Sequence, residues 1–153
     1  MRKILILFMA MALFFMDIVI SHADDSVIWR FAEKHEAGAL EASDVCYVSI
    51  NKDLLLMHWK TAGDPESIYV YKINKKGKDS FCASKINSYV PSENDPATFV
   101  ITHDADITGN RRNICYKITK NKLIIKDWVT LKKEKGSIYY AFPENIVQKY
   151  FNR

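Results

Sequence analysis

The chain has 153 residues, of which 48% are hydrophobic, with 22 basic and 18 acidic side chains and a formal charge of +4. That length suits one domain around one core, and the hydrophobic content argues against a disordered chain. A charge this mild gives no ground for a nucleic-acid partner.

The first 23 residues read as a secretory signal peptide. Arg2 and Lys3 precede an unbroken apolar run from Ile4 to Met16, and Ser21-His22-Ala23 puts small residues three before and one before a cut after Ala23. The run is too short to span a bilayer, Asp17 ends it, and no later stretch is long or apolar enough to replace it. A mature chain of residues 24–153, a single domain without stable membrane insertion, is therefore expected. It would be exported to the periplasm or secreted. Losing Arg2, Lys3 and Asp17 leaves 20 basic against 17 acidic groups, or +3. No Asn-x-Ser/Thr sequon occurs, which mildly favours a bacterial exported protein over an animal one.

Ser26 to about Glu41 has apolar residues near helical spacing (Val27, Ile28, Phe31, Ala32, His35) behind a capping Asp25 or Ser26, which predicts an N-terminal helix. Three strands follow: 45–50, 54–59 and 68–73. The second, LLLMHW, is apolar on both faces and should be covered on both. Asp79 looks like the cap of a short middle helix reaching Tyr89, stopped by Pro91. Residues 98–102 form a fourth strand, and a polar loop follows over 104–111.

Residues 113–131, NICYKITKNKLIIKDWVTL, read as the hairpin around which the chain is organised. Ile114, Tyr116 and Ile118 alternate with Cys115, Lys117 and Thr119, and Lys120-Asn121-Lys122 supplies the turn. Residues 137–142 form a last strand, and Pro143 opens a C-terminal helix with Ile146, Val147 and Tyr150 on its apolar side. The order predicts an α+β domain. Its antiparallel sheet would have about six or seven strands, with N-terminal, middle and C-terminal helices covering at least one face. A partly closed β-barrel is the alternative.

Three cysteines in an oxidising compartment suggest one disulfide and one leftover thiol. Cys46 is in phase with Val48 and Ile50 on a buried face, so Cys82–Cys115 is the favoured pair.

Asp104-Ala105-Asp106-Ile107-Thr108-Gly109 matches the opening of a calcium loop, and His103 could add a metal ligand. However, Arg112 and Cys115 fall where the ninth and twelfth ligands belong, and a polar turn is the simpler reading. The remaining histidines, His35 and His58, share no metal spacing. No nucleophile elbow or phosphate loop occurs, and the single Ser49-x-x-Lys52 match lacks its partner motifs. No cofactor is implied.

Lysines gather at two turns, Lys72, Lys75, Lys76 and Lys78 around one and Lys132, Lys133 and Lys135 around the other. Such groups either keep edges soluble or form a basic rim for an acidic partner. Tyr69, Tyr71, Tyr139 and Tyr140 could add a binding face or serve the core and rim of the sheet. The function expected by elimination is a small, exported, non-catalytic binding module, an inhibitor or immunity-type protein acting on an envelope enzyme. Its partner would be a protein in the envelope or outside the cell. The alternative is a small hydrolase or metal-dependent enzyme using His103, Asp104 and Asp106.

Overall fold

Leu54–Lys60 shows how the chain is built. Leu55, Leu56, Met57 and His58 are all buried, although successive strand side chains point to opposite faces. Such a strand needs cover on both sides. Here one side is the inside of a barrel and the other lies beneath two C-terminal helices.

The computed structural model describes residues 27–37, 40–102, 112–126 and 129–152. Nine strands run in order: β1 (Ile28–Ala37), β2 (Leu40–Asn51), β3 (Leu54–Lys60), β4 (Ser67–Lys76), β5 (Ser80–Pro91), β6 (Phe99–Ile101), β7 (Asn113–Ile118), β8 (Lys122–Ile125) and β9 (Val129–Glu134). Each strand from β1 to β5 pairs antiparallel with the next, as do β7, β8 and β9, and β9 returns to β1 through Ile28, Trp29 and Arg30. β6 and β7 lie along the same edge of β5. The chain leaves that edge where the Thr102 amide donates to Ser88 O (2.9 Å) and rejoins it where the Lys85 amide donates to Arg112 O (2.7 Å). β6 and β7 thus share one strand position, and the sheet closes as an eight-position up-and-down antiparallel barrel. Register slips between Val70 and Tyr71 and between Ile73 and Lys75 mark bulges, which increase the local twist that closure needs.

Two apolar clusters follow from the period of two. Trp29, Val48, Leu55, Met57, Tyr69, Tyr71, Ala83, Ile114, Tyr116, Leu123, Ile125 and Leu131 fill the barrel. Ile28, Tyr47, Leu56, Ile68, Val70, Tyr89 and Phe99 point outward from β1 to β6. They are covered by α1 (Ile138–Ala141) and α2 (Glu144–Tyr150) through Ile138, Phe142, Ile146, Val147 and Tyr150. Each fully buried Leu or Ile contributes roughly 1.5–3 kcal/mol relative to exposure. Tyr150 also accepts from Asn87 Nδ2 (2.8 Å) and meets the Tyr89 hydroxyl at 2.6 Å, while Asn51 Nδ2 donates to Phe151 O (3.4 Å).

This overturns the α+β expectation. The N-terminal helix is strand β1, whose Trp29 and Phe31, with Val27 just before it, pack inward at a period of two. The middle helix is strand β5, where Phe81 and Ala83 face the barrel and Cys82 faces outward. The last strand is helix α1, capped by the Ser137 hydroxyl accepting from the Tyr139 amide (3.4 Å). Pro143 does precede the closing helix α2. The barrel is closed, not partly closed.

Cys82 and Cys115 form the disulfide, directly opposite one another across β5 and β7. Disulfides persist in oxidising compartments, and this bridge fits one. Cys46 is buried and unbridged, and burial pushes its thiol pKa well up. No helix among the described residues is long and apolar enough to cross a membrane.

Candidate binding surface

An up-and-down barrel sorts its connections to two ends. The turns after β2, β4 and β7 and the end of β9 lie at one end, tied by backbone hydrogen bonds. The Ile73 amide donates to Asp53 O (2.7 Å), the Ile118 amide to Asp79 O (3.0 Å) and the Lys133 amide to Asn121 O (3.0 Å). These turns bring together Lys75, Lys76 and Lys78 with Lys132, Lys133 and Lys135, groups more than fifty residues apart in sequence. Lys52, Lys117, Lys120 and Lys122 fill the spaces between them. All ten are exposed.

Among the described residues three carboxylates, Asp53, Asp79 and Glu134, share this end, and two of them already have partners. Asp53 lies 4.0 Å from Lys72, and Glu134 lies 3.4 Å from Arg30. Two described loops of the opposite end have the reverse sign, with Asp64 and Glu66 between β3 and β4 and Glu93 and Asp95 between β5 and β6. Among the described residues the mild net charge therefore hides an asymmetry between these loops and the lysine-rich end, which steers an approaching acidic partner to that end.

Beside the lysine-rich end, a groove of about 460 Å³ runs over the outside of β5, β7 and β8. α1 and α2 cover the outer cluster on β1 to β6 and leave this face open. On the outer surface Lys75 lies opposite Cys82, Cys82 opposite Cys115, and the Lys126 amide donates to Cys115 O (3.0 Å). In the adjacent row, Lys117 sits between Ser80 and Ile124. The disulfide and the partly exposed Ile124 are an apolar strip between lysines.

Tyr69 and Tyr71 do not join this surface, because both point into the barrel and are 3% and 1% exposed. Lys85 Nζ lies 5.3 Å from the Tyr69 ring centroid. Tyr139 and Tyr140, the other two candidates, are exposed, but on helix α1 and not on a strand.

A second cleft, about 310 Å³, lies toward the acidic end between α1, β6 and the loop before β4. His58 is buried there. Its Nδ1 is 2.8 Å from Ala141 O and its Nε2 is 3.0 Å from Glu66 Oε2, so both ring nitrogens are engaged by oxygens that accept. The other Glu66 oxygen meets Lys60 Nζ at 3.3 Å. The hydrogen bond from His58 holds the Glu66 carboxyl below its ordinary range, helped by Lys60 and opposed by partial burial. This network ties α1 to the barrel and leaves neither ring nitrogen for a general base.

His103, Asp104 and Asp106 lie outside the described residues, as does the His35 side chain. Among the described residues no group of three or more His, Cys, Asp or Glu side chains could hold a metal ion.

In comparison with known proteins, no protein-family model matches the chain and no curated protein is similar to it in sequence.

Proposed function

We propose that the mature chain is a small exported binding protein of inhibitor or immunity type, whose recognition surface is the lysine-rich barrel end. Its partner is an acidic protein in the cell envelope or outside the cell. One observation carries this reading. Two lysine groups distant in sequence, on the β4–β5 turn and at the end of β9, share one rigid barrel end with the lysines of the β2–β3 and β7–β8 turns between them, and two of the three described carboxylates there are already paired. A disulfide-stapled barrel supports it further, because a rigid surface loses little conformational freedom on binding. The mechanism is electrostatic steering followed by coverage of an acidic cleft or face.

The test is capture from envelope and extracellular fractions with the chain from Asp24 as bait, eluted by rising salt. The expected result is one stoichiometric acidic protein released as salt screens the contact. An empty capture, or a retained protein indifferent to salt, would refute the reading.

A further inference from the structure

The groove over the disulfide gives the lysine-rich end a specific subsite. We propose that it accepts one apolar side chain, best an aromatic ring, from an acidic segment of the partner protein, while Lys75, Lys117 and Lys126 hold the carboxylates on either side. This inference rests on the proposed function above.

Three observations carry it. First, the groove has an apolar centre, formed by the Cys82–Cys115 bridge and Ile124, which is 37% exposed. Its volume falls within the range of about 300–1,000 Å³ typical of ligand sites. Secondly, the barrel register sets lysines around that centre: Lys75 beside Cys82, Lys126 beside Cys115, and Lys117 opposite Ile124. Among the described residues none of these three lysines has a carboxylate partner. Thirdly, the charge and the apolar strip alternate on one rigid face, which matches a segment alternating carboxylates with an apolar side chain. Complementary charges set the register of such a segment, and the buried apolar group supplies the anchor.

An anionic membrane is a poorer fit. A bilayer takes up apolar side chains that project from a surface. The large exposed hydrophobics among the described residues leave only Ile124 near the basic end, and it lies within a groove.

The probes are a fluorescent peptide of glutamates flanking one tryptophan, its tryptophan-to-alanine twin, and phosphatidylglycerol vesicles. The full mature chain is compared with Ile124→Asp and with Lys75→Glu/Lys126→Glu. All three positions are solvent-facing, and circular dichroism with thermal melts checks that each variant folds. The tryptophan peptide should bind roughly tenfold or more tighter than its twin, by the contribution of one buried aromatic ring. Ile124→Asp should erase that difference, and the double reversal should weaken both peptides roughly tenfold or more. Equal binding of the two peptides, unaffected by Ile124→Asp, would overturn the groove proposal and leave the lysine-rich end standing. Binding of neither peptide would overturn both. Vesicle binding stronger than either peptide, and indifferent to Ile124→Asp, would replace the protein segment with an anionic lipid surface.

Discussion

Removing the disulfide is the sharpest test of how the barrel is held together. β5 and β7 pair over only five residues, Ser80–Ser84 against Asn113–Lys117, and the bridge sits at the middle of that ladder. It joins residues 33 apart in sequence. Closing an unfolded loop of that length lowers its entropy by an amount equivalent to roughly 3.5–4 kcal/mol at 25 °C. Cys82→Ser/Cys115→Ser should lose about that much stability. Whole domains are stable by only about 5–15 kcal/mol, so this is a large fraction. The melting temperature should fall by roughly 10–20 °C for a domain of this size. Urea melts of the oxidised, reduced and doubly substituted chains measure it, with Cys46→Ala as the control that leaves the bridge in place. Reduction and double substitution should agree. A loss below about 1 kcal/mol would refute the view that this bridge closes the barrel by restricting the unfolded chain.

Tyr116 makes an opposite prediction. Its hydroxyl is buried without a hydrogen-bond partner among the described residues, so Tyr116→Phe should leave stability unchanged or raise it by about 1 kcal/mol. A clear loss in chemical denaturation would contradict this. Burial, with the Tyr89 hydrogen bond, pushes the Tyr150 hydroxyl pKa up to about 12. A raised folded-state value means that its contribution is complete below the ordinary pKa near 10 and lost as pH climbs toward 12. Tyrosinate absorbance and tryptophan fluorescence should therefore show α2 loosening in that window, and Tyr150→Phe should remove the transition. Glu66 has the reverse sign, because a depressed carboxyl pKa stabilises above the ordinary range and is lost as pH falls through the folded value. Glu66→Gln should flatten the stability decline below about pH 4.5. An unchanged acid limb would contradict the His58–Glu66–Lys60 linkage.

Local pattern reported some of this structure faithfully. Ile114 and Tyr116 face inward and Lys117 outward as their alternation indicates, and the LLLMHW run is covered on both sides as its two apolar faces require. The helix expectations failed where two periods coexist. Residues 27–37 carry helix-forming Ala, Glu and Lys, and Ile28 with Ala32 fits a helical stripe. Val27, Trp29 and Phe31 fit a strand equally well, and barrel closure against β2 and β9 decides between them. In β5 a usable signal was present. A Cys82–Cys115 bridge is easily met by opposed strands, and the Ser and Asn content of 80–91 is poor for a helix. Ser137-Ile138-Tyr139-Tyr140 looked like a strand for its β-branched and aromatic content. Its backbone is set by the Ser137 cap and by cover over Ile28 and Tyr47. The lysine groups were legible as composition, but their convergence was not, because it depends on which turns share a barrel end.

The shared recognition end is tested most directly by capture with four baits: the wild-type mature chain, Lys75→Glu/Lys76→Glu, Lys133→Glu/Lys135→Glu, and the opposite-end control Glu93→Lys/Asp95→Lys. If one surface contains both lysine groups, each lysine reversal should lower retention of the same partner by roughly tenfold or more, and the control should retain it in full. Loss on only one lysine reversal, or equal loss on the opposite-end control, would contradict a single basic recognition surface.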